Sequence, residues 1–285
     1  MEFPPTTHRV LIGDACRQLR ELSDGAVQLV VTSPPYWSIK DYDHPGQIGS
    51  TQTYEEYLAA LEEVWRGCLR VLEPGCKLVI NIGDQFVRGG VERYGIKPIQ
   101  ADTIATCRAL GCECLGSIIW RKVTTTNTSG GGVWMGSVYY PRDGYVTYEH
   151  EYIMLFRKPG KYRRPAKELR EMSRLTKAQR SEWFRGVWEL APARQDTHCA
   201  IFPNALPERI IRMFSFVGDT VLDPFLGSGT TMQVARDWGR NSIGIELNAD
   251  YVPLITERIG LVRVEADGTQ VDEAGNRLVI VSSDP

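Results

Sequence analysis

Residues 54–72 carry the clearest periodic pattern in the chain: Tyr54, Tyr57, Leu58, Leu61, Val64, Trp65, Cys68, Leu69 and Leu72 fall on one helical stripe. Thr53 and Glu56 form a capping box ahead of that stripe, and Pro74-Gly75 is expected to end it. Elsewhere short apolar runs alternate with amphipathic segments. The runs Arg9–Ile12, Gln28–Thr32, Lys77–Ile82, Leu115–Trp120, Tyr152–Phe156, Thr220–Leu222 and Ser242–Ile245 predict strands. The segments Asp14–Leu22, Pro98–Leu110, Leu206–Phe214, Gly229–Trp238 and Ala249–Ile259 predict helices. Strands alternating with helices predict an α/β fold, with a mostly parallel sheet covered by helices.

Three stretches depart from that rhythm. Val123–Gly144 is rich in Thr, Ser and Gly, holds Trp134, Tyr139 and Tyr140, and has no period, which predicts a long mobile loop. Ala166–Phe184 reads as partly helical. The last 25 residues carry turn signals at Asp267-Gly268 and Gly275-Asn276 and predict a small β-hairpin appendage.

A length of 285 residues suits one large α/β domain with an elaboration, and 42% hydrophobic with 24% charged residues is ordinary for a soluble domain. No apolar run approaches the roughly 20 residues of a membrane span, and no signal-peptide pattern opens the chain, so a cytoplasmic protein away from membranes is expected. The seven cysteines include no CxxC pair, and the single CxC at Cys112 and Cys114 has no second cluster. They read as reduced thiols rather than metal ligands. The net charge of −2 gives no global attraction to nucleic acid, yet Arg157–Arg185 holds eleven Lys/Arg against three Glu. This local excess is either a solvated face or a surface for phosphates.

Two segments carry candidate chemistry. In LVVTSPPYW (Leu29–Trp37) a strand-like run ends in two prolines and two aromatics. Prolines restrict φ and push the preceding residue to extended geometry, so this corner would hold its carbonyls in fixed directions. In DPFLGSGTT (Asp223–Thr231) glycines stand between a strand and a helix, where the backbone can approach a ligand and the helix N-terminus favours an anionic group. It is neither a Walker loop nor a full GxGxxG. Glu246 ends the next strand, nineteen residues past Gly227, where a carboxylate can take both hydroxyls of a ribose or serve the helix entry before Asn248. Asp14 follows the first strand, as a helix N-cap or an acceptor for an adenine amine. Ligands in open α/β sheets bind beyond the carboxyl ends of the strands, so these segments can face one crevice.

Taken together, Ser33-Pro34-Pro35-Tyr36 and Phe225-Leu226-Gly227-Ser228-Gly229 resemble the two signature motifs of the amino-methylating DNA methyltransferases, (D/N/S)PP(Y/F/W) and FxGxG. Their order matches the family's permuted β group, and Phe202-Pro203-Asn204-Ala205-Leu206-Pro207 is similar to the stretch leading into the cofactor strand. The likeness runs from about His8 to Ile259. It implies a Rossmann-like methyltransferase sheet flanked by helices, with an inserted target-recognition region. Residues 1–122 would form the catalytic half, 123–200 the mobile loop and recognition region with a core strand near 152–156, and 201–260 the cofactor half. Residues 261–285, the hairpin appendage, lie outside it.

The resemblance implies S-adenosyl-L-methionine as cofactor and double-stranded DNA as partner. A cognate restriction endonuclease would accompany a restriction–modification role, and the chain would act as a monomer or homodimer. The catalytic candidates are Ser33, Pro34, Pro35 and Tyr36. The cofactor-binding candidates are Asp14, Thr32, Phe202, Asp223, Phe225, Gly227, Ser228, Gly229, Thr230, Thr231, Glu246 and Asn248. Arg163, Arg164, Lys167, Arg170 and Arg174 are the candidate phosphate contacts.

An exocyclic amine is a poor nucleophile because its lone pair is delocalised into the ring. The Ser33 hydroxyl and the Pro34 carbonyl would take its hydrogens and localise that pair, while Tyr36 stacks on a base flipped out of the duplex. Carbon-5 methylation would need a Pro-Cys thiolate, and the sequence has no Pro-Cys pair. Within the resembled family Ser at the first motif position accompanies cytosine N4, whereas Asp accompanies adenine N6. The expected reaction is therefore N4-cytosine methylation, with adenine N6 and a catalytically silent DNA-binding subunit as the rival readings.

Overall fold

The computed structural model describes residues 3–88, 94–122, 148–192, 202–261, 263–264 and 267–282. The chain opens with β1 (Thr7–Ile12), α1 (Ala15–Arg20), β2 (Val27–Thr32), α2 (Tyr54–Val71) and β3 (Leu72–Ile82). A small antiparallel hairpin of β4 (Gln85–Arg88) and β5 (Tyr94–Lys97) leads to α3 (Ile99–Ala109), β6 (Glu113–Lys122) and β7 (His150–Arg157). Two short helices, α4 (Lys167–Met172) and α5 (Lys177–Trp183), precede β8 (Val187–Leu190) and α6 (Ala205–Phe214). A βαβ unit follows, of β9 (Thr220–Asp223), α7 (Thr230–Asp237) and β10 (Asn241–Glu246). The chain then forms a 3₁₀ turn, α8 (Val252–Ile259), β11 (Arg263–Val264), β12 (Gln270–Val271) and β13 (Arg277–Ser282).

Among the described residues, eleven strands form one sheet in the order β11-β12-β13-β1-β10-β9-β2-β3-β7-β6-β8. From β13 to β3 the neighbours are parallel, and β7 then runs antiparallel to both β3 and β6. The two halves of the chain are interleaved, because β9 and β10 from the C-terminal half sit between β1 and β2. Parallel strands covered on both faces have to be apolar on both. Accordingly, Leu29 and Val31 of β2 enter the core under α6 and α7, while Val30 between them enters the core under α1, α2 and α3.

The capping box of α2 forms as the sequence indicates: Thr53 accepts from the Glu56 amide while Glu56 accepts from the Thr53 amide. The helix nevertheless ends at Val71, before Pro74-Gly75. Those two residues fall in the β3 irregularity, where the pairing with β2 jumps from Val27↔Leu72 to Leu29↔Lys77. Gly75 sits there at φ +82°, and a side chain would meet the Tyr162 amide at 2.6 Å. The β4–β5 hairpin and β8 have no clear sequence signal. The C-terminal hairpin joins the main sheet, with β13 paired along all of β1. Residues 123–147 and 193–201, which hold the expected loop and much of the expected recognition region, lie outside the described residues. No described helix is long and apolar enough to cross a membrane.

Candidate active site

Strands β1, β10, β9 and β2 are parallel neighbours, so their carboxyl ends emerge at one edge of the sheet. Just beyond them lie Asp14, the Ser33–Tyr36 corner, the Pro224–Gly229 turn and Glu246. One cleft is lined by Asp14, Ser33, Pro34, Pro35, Tyr36, Phe202, Phe225, Gly227, Ser228, Thr230 and Glu246. The two motifs, far apart in sequence, also touch directly: the Thr32 hydroxyl donates to Asp223 Oδ1 at 2.8 Å.

Asp223 itself does not line the cleft. Its carboxylate is 3% exposed and accepts from the hydroxyls of Thr32 (2.8 Å) and Thr231 (2.7 Å) and from the Phe225 amide (3.1 Å). It therefore clamps the end of β2, the glycine turn and the first turn of α7. Burial pushes its pKa up to about 6, against the pull of those three donors. Thr32, Asp223 and Thr231 thus form a buried support beneath the cleft rather than lining it. Gly229, at φ +85°, opens α7 from beneath. The Asn248 side chain caps the 3₁₀ turn at Asp250, and its amide donates to Glu246.

Glu246, 9% exposed, accepts the Gly227 amide on one oxygen (2.7 Å) and the Asn248 amide on the other (2.9 Å). The lone pairs left on the carboxylate could hold a vicinal diol in the cleft. Burial raises the Glu246 pKa, and the amide bonds counter it. Gly227 adopts φ +53°, and nothing lies within 4 Å of where its Cβ would be, which leaves its backbone open to a ligand. Asp14 combines both roles weighed for it, since one oxygen caps α1 at the Arg17 amide (2.9 Å) while the residue lines the cleft. Phe225 likewise lines the cleft and packs edge-on to Trp65 at 6.2 Å. This set fits a nucleoside-bearing cofactor: a diol acceptor, apolar walls and a glycine turn at a helix start.

The SPPY corner is fixed from outside. The Tyr57 hydroxyl donates to the Pro35 carbonyl at 2.9 Å, and the Trp37 indole donates to the Gln52 carbonyl at 2.8 Å. The Tyr36 hydroxyl donates to Glu151 Oε1 at 2.9 Å. Burial, then the Glu151 charge, drives the Tyr36 pKa well above its usual 10, so the phenol stays protonated. Glu151, Asn81 and Tyr57 were not anticipated, nor were the cleft-lining Tyr42, Gln47 and Tyr251. The available signals were faint: a polar Asn inside KLVINI and a carboxylate at the head of an apolar strand.

The basic residues lie elsewhere. The Gly75 amide donates to the Lys158 carbonyl (2.9 Å) and the Arg163 amide donates to Glu73 (2.7 Å), so this stretch docks at the start of β3. At about 3.3 Å per residue, the six steps from Cys76 to Ile82 put this docking point roughly 20 Å from the cleft end of β3. The Val217 amide, just before β9, donates to the hydroxyl of Ser173 behind α4 (2.8 Å). Arg163, Arg164, Lys167, Arg170 and Arg174 therefore occupy the end of the sheet opposite the cleft, and the structure does not bring them to it. The chain enters residues 123–147 from Lys122, at the cleft end.

Residues 27–257 match the N6/N4 methyltransferase family, described as DNA methylase. The Type II methyltransferase M.MjaI of Methanocaldococcus jannaschii is 36% identical, over 90% of this chain and 92% of its own length. M.SmaI of Serratia marcescens, also a Type II methyltransferase, is 31% identical over 88% and 90%. Among solved structures, a DNA modification methylase of Thermus thermophilus, TTHA0409, described as putative and determined with S-adenosyl-L-methionine, superposes with a TM-score of 0.73 at 39% identity, covering 96% of this chain and 99% of that one. The PvuII cytosine-N4-specific DNA methyltransferase shares the fold, with a TM-score of 0.66 at 19% identity over 93% and 92%.

Proposed function

The chain belongs to the N6/N4 family of DNA methylases, and from that premise we propose that it methylates the exocyclic N4 of a cytosine flipped out of duplex DNA, using S-adenosyl-L-methionine. The observation that carries this reading is the single cleft shared by the Ser33–Tyr36 corner and the Gly227–Glu246 side. Glu246 would take the ribose hydroxyls, Asp14 the adenine amine, and Phe202 and Phe225 the apolar walls. When bound, S-adenosyl-L-methionine supplies an electrophilic methyl group on a sulfonium.

The protein's part is to make the amine nucleophilic and aim it. The Ser33 hydroxyl and the Pro34 carbonyl accept the amine's two hydrogens as the nitrogen pyramidalises, which localises its lone pair. The prolines and the Tyr57 bond hold these acceptors before reaction, so little reorganisation is needed. Tyr36 stacks on the extruded ring, a contact contributing roughly 1–3 kcal/mol. As the new N–C bond forms and the C–S bond breaks, the nitrogen releases one proton to solvent. Ser33, a neutral acceptor where the motif can carry a carboxylate, favours cytosine over adenine. Type II relatives favour a specific duplex site and a companion endonuclease as partner.

The test is to incubate the protein with tritiated S-adenosyl-L-methionine and mixed-sequence duplex DNA, digest to nucleosides, and identify the labelled one. Label on N4-methyl-deoxycytidine is expected. Label on N6-methyl-deoxyadenosine would move the target to adenine, and label on neither would refute the DNA amine as substrate.

A further inference from the structure

Beside the cleft, three donors converge on one buried carboxylate that no motif includes. Glu151, at the head of β7 and 8% exposed, accepts the Tyr36 hydroxyl on Oε1 (2.9 Å) and the Asn81 amide on Oε2 (2.7 Å), and it pairs with the Lys122 ammonium. Gly83 makes room for it, because a side chain there would come within 3.1 Å of Glu151 Cγ. A buried carboxylate with this many charge-assisted bonds has one orientation.

We propose that Glu151 is a positioning residue that fixes where the Tyr36 ring lies in the cleft wall and ties it to Lys122 at the root of residues 123–147. The tyrosine is pinned at two points: its backbone through the Pro35 carbonyl held by Tyr57, and its far end through Glu151. A ring held only by its backbone would swing about the Cα–Cβ bond, and a base stacked on it would leave the line of attack. The role rests on the reading of Tyr36 as the base-stacking residue. Lys122 neutralises the carboxylate and links its geometry to the position where the chain departs at the cleft edge.

Single-turnover transfer from tritiated S-adenosyl-L-methionine to unmethylated duplex DNA of mixed sequence tests this. Glu151→Ala should lower the rate about 10- to 100-fold, with cofactor affinity within about twofold of wild type. Tyr36→Phe, which removes the same bond from the other side, should lower it about three- to tenfold. The double variant should be no slower than Glu151→Ala alone, and Glu151→Gln, which keeps one acceptor for Tyr36, should recover most of the rate. Multiplying single effects, a Glu151→Ala rate within about threefold of wild type, or cofactor affinity falling in step with rate would overturn the role. If Glu151→Ala does not fold, Glu151→Met replaces it; if that fails too, a Tyr36→Phe rate within about twofold of wild type overturns the role. Wild-type protein that labels no DNA would instead refute the proposed function beneath it.

Discussion

Replacing Asp223 by Asn isolates the electrostatic burden of the clamp beneath the cleft. The carboxylate is buried and its pKa stands at about 6 against an ordinary 3.8, with burial the leading cause. Because the folded form holds its proton to higher pH, the group's contribution to stability is full below pH 4. It is lost as pH rises through 6. That gap, at 1.36 kcal/mol per pH unit, amounts to about 3 kcal/mol at pH 7. Asparagine preserves the acceptor for Thr32 and Phe225 and turns a donor toward Thr231, whose hydroxyl can rotate to accept. The stability of Asp223→Asn relative to wild type should therefore rise by about 2 kcal/mol between pH 4 and pH 7. Urea unfolding at the two pH values measures it. A difference that does not change with pH would show that Asp223 bears no such burden. Asp223→Ala strands three donors instead, and should destabilise at both pH values by about 2–4 kcal/mol.

Ser33→Ala should lower the single-turnover rate about 100-fold while S-adenosyl-L-methionine affinity stays within about twofold; equal losses in rate and affinity would contradict its role as amine acceptor. Glu246→Gln should weaken cofactor binding about 10- to 100-fold by calorimetry, because one acceptor becomes a donor facing the Gly227 or Asn248 amide. Arg170→Ala with Arg174→Ala should leave the salt slope of DNA binding unchanged, and a slope reduced by one or two would show that the duplex reaches the far end of the sheet. Burial, with Arg236 nearby, holds the His8 pKa down to about 3. His8 should therefore stay neutral in folded protein to pH 4 by ring-nitrogen NMR, and stability should fall as pH drops below 6.5, where only the unfolded chain takes up the proton.

The cleft was legible where its chemistry is local. Each motif closes a strand and starts at its carboxyl end, so SPPY and DPFLGSGTT announce both their place and their partner. Capping residues likewise marked α2 and α1. What escaped detection depends on distant pairing. Nothing near Tyr36 signals that its hydroxyl ends on Glu151, which comes from a strand 115 residues later. The position of the basic run is hidden in the sequence for a related reason. Had β7 run parallel to β3, residues after Arg157 would emerge beside the cleft; the antiparallel pairing Lys77↔Arg157 delivers them to the opposite end. Strand direction is a property of the sheet, and the five-residue apolar run Tyr152–Phe156 does not encode it.

A crystal structure with S-adenosyl-L-homocysteine would test the shared cleft most directly. The ribose should rest on Glu246, and the sulfur should lie within about 7 Å of Ser33 Oγ, the reach of one bond and two contacts of about 3 Å. A ligand bound on any other surface, or a sulfur turned away from the double-proline corner, would contradict methyl transfer at this site.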